Sequence, residues 1–323
     1  MHVLVVGGAG YIGSHMVKLL GQRGFQVTVL DNLCAGHRDA VQGARFVLGD
    51  LGERDLLNAL FQAEHFDGVM HFASHIQVGE SVREPAKYYL NNVFKTQYLL
   101  DAMVAHRVKC FIFSSTAAIF GEPLRVPIDE DHPKQPINPY GRGKWMVEQM
   151  LQDYDLAYGL KAVCLRYFNA AGADPEGKLG ERHDPETHLI PLVLRAATSQ
   201  RPITVFGTDY DTPDGTCIRD YIHVNDLGEA HLLALQRLWD GVGSAAYNLG
   251  NGNGFSVREV IDTARKVTGC EIPVVYGERR PGDPARLVAD AHRARADLGW
   301  TPRYADLATI IAHAWQWETR AKS

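Results

Sequence analysis

Tyr140-Gly-Arg-Gly-Lys144 sets a phenol and an ammonium four residues apart. Directly after Pro139, that spacing puts both groups on one face of an opening helix. A free tyrosine, with a pKa of about 10, is a poor base at neutral pH. A neighbouring ammonium favours the phenolate and brings it toward the working range. Ser114-Ser115-Thr116 lies 24 residues upstream, counted from Thr116 to Tyr140, and follows an apolar run. Three hydroxyls at the carboxyl edge of a strand sit where open α/β sheets bind ligands. Tyr-x-x-x-Lys alone is common on helices, as a half-buried Tyr beside a solvated Lys. Its weight here comes from the strand-end hydroxyls and from the glycines at the N-terminus.

Those glycines are Gly7-Gly-Ala-Gly10-Tyr-Ile-Gly13, placed between the apolar run Val3–Val6 and the helical pattern Tyr11–Arg23. Missing Cβ atoms let the turn close and let a pyrophosphate approach the backbone N–H groups of the helix start. Asp31 stands at the end of the second strand, eighteen residues past Gly13. A carboxylate there accepts from a ribose 2′-hydroxyl and repels a 2′-phosphate, which favours NAD over NADP. Gly49-Asp50-Leu51, after the third strand, is placed to meet the adenine. A positive nicotinamide ring would add to the pull on the Tyr140 proton.

Short apolar strands at Val27–Leu30, Arg45–Leu48, Gly68–Phe72, Cys110–Ser114 and Lys161–Arg166 alternate with helical patterns at Asp55–Gln62, Pro85–His106 and Tyr140–Tyr158. That alternation predicts an α/β fold, a Rossmann-type doubly wound parallel sheet covered on both faces. After about Arg166 the rhythm changes. Residues 169–185 are rich in Gly, Asp, Glu and Pro and read as a long loop. Short elements follow, with helices near Pro191–Ser199, Asp226–Leu238, Val257–Thr268 and His313–Arg320 and a strand at Ile203–Phe206. We divide the chain into an NAD-binding domain over 1–168 and a smaller C-terminal α/β substrate domain over 169–323, with the chain free to cross between them. The 323 residues, 46% hydrophobic and 22% charged, are ordinary for a globular enzyme. A net charge of −5 argues against nucleic acid or an anionic membrane as partner. No run of about 18 apolar residues occurs. Five scattered cysteines and an N-terminus without a cationic leader suggest a cytoplasmic protein with reduced thiols.

The motifs together resemble the extended short-chain dehydrogenase/reductase family and, within it, the nucleotide-sugar 4-epimerases. His71-Phe-Ala73, Val78-Gly-Glu-Ser81, Arg166-Tyr-Phe-Asn169, Arg219-Asp-Tyr-Ile-His-Val224, Tyr247-Asn-Leu-Gly250 and Arg279-Arg-Pro-Gly-Asp283 extend the resemblance over essentially the whole chain. The resemblance implies a UDP-hexose 4-epimerase that interconverts UDP-glucose and UDP-galactose through a transient 4-keto sugar with tightly bound NAD. Tyr140 takes the proton of the sugar 4-hydroxyl, Thr116 hydrogen-bonds that oxygen, and Lys144 holds the nicotinamide ribose and tunes Tyr140. Hydride leaves C4 for NAD, the keto sugar turns over, and hydride returns to the opposite face. The resemblance adds Tyr11, Ile12, Asn32, Leu51, Phe72, Ala73, Asn91, Ser114 and Tyr167 to the cofactor contacts. Arg219 and Arg280 match diphosphate contacts, where a planar guanidinium fork suits paired oxygens. Asn169 matches a further diphosphate contact, and Asp283 a partner of the uridine ribose. Phe168, Leu189, Val205 and Phe206 complete the substrate set, and Gly282 lies between Arg280 and Asp283.

Thr116 is followed by Ala117-Ala118, not by the acidic residues that related dehydratases use, which favours epimerisation. Other positions depart from the family pattern. Ser74 and Ile76 stand where Gly and Lys often occur, so the contact from that Lys is lost. His188 replaces an Asn on the uridine side. Leu287 falls where glucose-restricted members carry Tyr, which leaves room for a 2-N-acetyl group and points to UDP-GlcNAc/UDP-GalNAc as added substrates. The resemblance also places the helices at Pro85–His106 and Tyr140–Tyr158 in a homodimer interface. Competing expectations are a UDP-pentose or UDP-uronate 4-epimerase and a non-catalytic NAD or nucleotide-sugar-binding protein. His71-x-x-x-His75 lacks the Glu and the helix of a zinc protease motif. Asp129-Glu130-Asp131 reads as a solvated loop. Glu181-Arg-His183-Asp184 and His188 read as a polar loop, so no metal is expected.

Overall fold

A computed structural model describes residues 1–280 and 283–320; Gly282 lies outside them. In the first half, the strands are β1 (His2–Val6), β2 (Gln26–Asp31), β3 (Arg45–Leu48), β4 (Gly68–His71), β5 (Cys110–Thr116) and β6 (Lys161–Tyr167). The helices between them are α1 (Tyr11–Gln22), α2 (Arg54–Ala63), α3 (Val78–Arg83), α4 (Pro85–Tyr89), α5 (Lys95–Ala105) and α6 (Pro139–Tyr158). All five residues of β1 are buried, as an inner strand of a parallel sheet requires. The seven-stranded sheet runs β11-β6-β5-β4-β1-β2-β3, every pairing parallel. β1 lies between β2 and β4, so the chain reverses direction across the sheet at β1/β4. A crevice opens there at the carboxyl ends of the strands. One apolar core packs α1 and α8 on one face, and a second packs α2, α5 and α6 on the other.

The second half contains β7 (Asn169–Ala171), α7 (Leu189–Ser199), β8 (Ile203–Phe206), β9 (Ile218–Arg219), β10 (Tyr221–His223), α8 (Val224–Trp239), β11 (Ala245–Leu249), β12 (Phe255–Ser256), α9 (Val257–Thr268), β13 (Val274–Gly277), β14 (Arg286–Leu287), α10 (His292–Leu298) and α11 (Leu307–Arg320). A third core gathers α7, α9 and α11. Three small sheets, β10-β7, β12-β9-β14 and β13-β8, carry the loops that face the crevice. The chain crosses back twice: α8 and β11 complete the large sheet from the second half, and α10 later packs against both.

Most predicted elements are found within a residue or two, although α11 begins at Leu307, six residues before the predicted start at His313. Four other details differ. β5 runs on through Thr116, so the three hydroxyls lie in the strand and not after it. The long helix predicted at Pro85–His106 is broken by a π-turn over Leu90–Phe94. The predicted loop over 169–185 opens with β7, because Asn169–Ala171 pair with Tyr221–His223. Glu130, predicted to be solvated, is buried, and its carboxylate accepts the Asn248 N–H at 2.8 Å.

Candidate active site

Asn138 and Pro139 set the start of α6. The Asn138 side chain accepts the Gly141 N–H at 2.8 Å, and Pro139 supplies a φ suited to the first turn. Tyr140 and Lys144 therefore fall on the first two turns, against the end of β5. Thr116, the last residue of β5, lies beside the Tyr140 hydroxyl. Burial raises the Tyr140 pKa, and the Thr116 contact pulls it partly back. The Lys144 ammonium donates to the Ser74 hydroxyl and to the Ser114 carbonyl, both at 2.7 Å, and lies 4.8 Å from the Phe113 ring centre. Burial pushes its pKa down to about 7, against the opposing charge of Glu148. Ser114 Oγ meets the Tyr167 hydroxyl.

The glycine turn fits a dinucleotide. Gly7 has φ +79°, and a Cβ on it would sit 2.6 Å from the Ala73 nitrogen. A Cβ on Gly13 would overlap the Gly7 carbonyl oxygen. Gly10 caps α1 without a side-chain acceptor, so among the described residues no side chain occupies the helix's N-terminal N–H groups at Tyr11, Ile12 and Gly13. Asp31 accepts the Ala9 and Leu33 N–H groups at 2.9 and 2.8 Å, one on each oxygen, and each oxygen keeps a lone pair for a ribose hydroxyl. Asn32 donates to Asp50 at 2.7 Å, and Lys95 pairs with the same carboxylate. Leu51 is buried beside them. Phe72 and Ala73 follow β4, with the Phe72 ring 4.9 Å from that of His231. Asn91 sits in the π-turn and donates to Asn92, which in turn fixes the His75 backbone. The Tyr11 hydroxyl donates to the Gly172 carbonyl at 2.7 Å, joining the helix start to the second half.

Across the crevice, Arg219 donates to the Ile218 and Pro284 carbonyls at 2.8 and 2.9 Å and pairs with Asp283. Arg280 lies with its guanidinium 4.0 Å from the Phe206 ring centre. On β8, Phe206 faces out while Val205 is buried in the third core, so Val205 can offer a ligand only its backbone. Asn169 donates to the Asp220 carbonyl at 2.9 Å. Leu287 pairs in register with Arg219 and, like Phe168, packs against the small cluster of Ala117, Ile119, Phe120 and Ile128. His188 caps α7 just before Leu189, and its Nδ1 meets the buried Glu181 carboxylate. Burial lowers the His188 pKa, but Glu181 outweighs it and holds the group above the usual histidine range.

Four residues around this site escaped the sequence reading. Ser74 is visible there only as a departure from a pattern, yet it accepts from Lys144. Glu148, one turn beyond Lys144, accepts from Ser115 Oγ at 2.5 Å and from Arg166 through two nitrogens at 2.6 and 3.0 Å. Ser115, Glu148 and Arg166 are all at most 4% exposed. The i,i+4 step from Lys144 to Glu148 is the sequence signal that could have found the cluster.

Comparison with known proteins gives the same picture. Residues 3–250 match the model of the NAD dependent epimerase/dehydratase family. The chain is 53% identical to the UDP-glucose 4-epimerase of Halalkalibacterium halodurans over 318 residues, 98% of this chain and 95% of that protein. It superposes on the crystal structure of UDP-glucose 4-epimerase from Brucella ovis in complex with NAD with a TM-score of 0.95, at 51% identity and 97% coverage of both chains. It also superposes on the UDP-Glc/GlcNAc 4-epimerase of Campylobacter jejuni, with a TM-score of 0.87, 43% identity and 99% coverage of both. A glycine cradle on a doubly wound sheet, a Tyr–Lys pair against a strand-end Thr, and this likeness over nearly the full length agree: the chain belongs to the NAD dependent epimerase/dehydratase family.

Proposed function

We propose that the protein is an NAD-retaining UDP-hexose 4-epimerase that interconverts UDP-glucose and UDP-galactose. The observation that carries this reading is Tyr140, set beside Thr116 and one helical turn from the buried Lys144, at the strand edge that also bears the glycine cradle. Bound NAD takes up the hydrogen of the sugar C4 and gives it back. Tyr140 removes the 4-hydroxyl proton and later returns it, while Thr116 holds that oxygen in line. Lys144 brings positive charge to the phenol and to the nicotinamide ribose, and Asp31 takes a ribose hydroxyl. Arg219, Arg280 and Asn169 hold the diphosphate, and Asp283 the uridine ribose. Affinity placed in the nucleotide leaves the sugar free to turn while the molecule stays bound. The sheet and its helices form the NAD-binding part, and the three small sheets with α7, α9 and α11 the UDP-sugar part.

Purified protein without added NAD, given UDP-glucose, UDP-GlcNAc and UDP-xylose in parallel, tests the reading. Formation of UDP-galactose is expected. Conversion of none of the three would overturn it, and a strict need for added NAD would overturn cofactor retention.

Leu287 favours a second substrate pair. It sits in register with Arg219 and against the cluster that follows Thr116, with a side chain smaller than Tyr, so UDP-GlcNAc and UDP-GalNAc are expected to interconvert as well. Leu287→Tyr is expected to slow the N-acetyl pair by about tenfold or more, the scale of one misfitted pocket contact, and UDP-glucose by less than about threefold. Parallel rate assays check this; equal losses on both pairs would refute it.

Homodimer formation is supported by an apolar face on the joined elements α3 to α6, where Val82 is 63%, Leu90 53% and Phe94 52% exposed. Phe94→Glu is expected to convert the dimer to a monomer in light scattering; an unchanged mass would reject this face. Five free cysteines support a cytoplasmic location, and among the described residues no helix is long and apolar enough to cross a membrane.

A further inference from the structure

The segment between β7 and α7 gathers a cluster of which only His188, on the uridine side, belongs to the expected substrate site. Glu181, His183, Glu186 and His188 follow the order Glu-x-His-x-x-Glu-x-His. One donor atom from each lies within 4.8 Å of every other. Glu181 Oε1 stands 2.9 Å from His183 Nδ1 and also meets His188 Nδ1. Glu186 Oε1 lies 3.9 and 3.7 Å from the same two nitrogens. A tetrahedral ion with bonds of about 2.0–2.1 Å holds its donors roughly 3.4 Å apart. Small side-chain adjustments therefore close a four-donor shell here.

Charge and hydrogen bonding point the same way. The Glu181 and Glu186 side chains are only 6% and 1% exposed, and two buried carboxylates need compensating positive charge. Glu186 Oε2 is buried without a hydrogen-bond partner. Its nearest cation outside the cluster is Arg195, 3.8 Å away on a side chain that is 40% exposed. A dication balances both carboxylates and leaves both imidazoles neutral. The surroundings already hold the donors in place, as metal sites require. Glu186 Oε1 accepts the Thr187 and His188 N–H groups at 2.8 and 2.9 Å, and the Glu181 carbonyl accepts from Trp317 Nε1 at 3.1 Å.

We propose that Glu181, His183, Glu186 and His188 form a binding site for a divalent transition-metal ion of the Zn²⁺ type. Two imidazoles and two carboxylates suit Zn²⁺ better than Mg²⁺ or Ca²⁺, which prefer oxygen throughout. The ion ties the segment preceding α7 to the helix start. Ligation through Nδ1 also fixes His188 in the tautomer that carries its proton on Nε2, a donor for the uridine side of the substrate. That last consequence rests on the proposed UDP-sugar site; the metal site itself does not.

The test uses the untagged, full-length protein with its bound cofactor, stripped with a chelator and titrated with Zn²⁺ against a chromogenic competitor. One Zn²⁺ per chain is expected, with a dissociation constant on the order of 1 μM or tighter. Co²⁺ loading should give the intense visible bands of four-coordinate cobalt. His183→Ala and Glu186→Gln, checked for folding by circular dichroism, should each weaken binding by about a hundredfold or more. No site of this affinity in the unaltered chain overturns the proposal, and so does undiminished Zn²⁺ binding in the double variant, which would place the ion elsewhere. Failure of epimerisation with Zn²⁺ still bound would overturn the proposed reaction and leave the metal site standing.

Discussion

Tyr140→Phe is expected to lower epimerisation by about 10³-fold or more while the protein keeps its NAD. The substitution removes one oxygen and leaves the ring, so the fold and the glycine cradle stay as they are. A positioned general base contributes roughly 10²–10⁴ in rate, and among the described residues no other side chain hydrogen-bonds Thr116 as a substitute base. In the protein alone, burial raises the phenol's pKa. That protein already contains Lys144, whose own pKa is pushed down to about 7, so the further pull on the phenol proton must come with bound NAD and its positive nicotinamide ring. The rate should therefore rise with pH as Tyr140 ionises, and in Tyr140→Phe that rise should vanish. Rates on UDP-galactose at several pH values, together with NAD released on denaturation, decide the matter. Turnover within about threefold of the unaltered enzyme would remove Tyr140 from its role.

The sheet was legible because its strands are short continuous apolar runs, such as Val3–Val6, between turn residues and helical periods. The glycine turn was legible for a similar reason: its constraint is local, and Gly7 and Gly13 lie against backbone a few residues away or at the next strand end. Elements made by distant pairing were not. β7 and β10 have three residues each and exist because they pair across about fifty residues of chain. β9 and β14, two residues each, bring Arg219 beside Leu287 in the same way. Burial of charge was hidden too. Glu130 sits in an acidic run that looks solvated, and only the return of β11 to the sheet covers it. The cluster at Glu181, His183, Glu186 and His188 reads as a polar loop in one dimension, since convergence of its donors depends on how the segment folds over α7.

Arg166→Met is the substitution outside the catalytic pair with the largest expected cost, about 3–5 kcal/mol of stability. Arg166 on β6 and Glu148 on α6 form a bidentate pair that is at most 4% exposed. Removing the guanidinium leaves a buried carboxylate with Ser115 as its remaining side-chain donor. Urea midpoints should fall accordingly; a loss below about 1 kcal/mol would show that water reaches Glu148. Glu148→Gln separates geometry from charge, because the amide still accepts from Ser115 and Arg166 but no longer supports the Lys144 ammonium. The carboxylate raises the Lys144 pKa against burial, so its neutralisation must move that pKa below about 7. The titration of Lys144, followed by NMR of its Nζ, should shift to lower pH, and the rise of the rate set by Tyr140 should stay. An unshifted Lys144 titration would mean that Glu148 only packs. With both outcomes as expected, the pair does two jobs from one buried position: it locks α6 to the ends of β5 and β6, and it keeps a charge on Lys144 in a place where burial alone would discharge it.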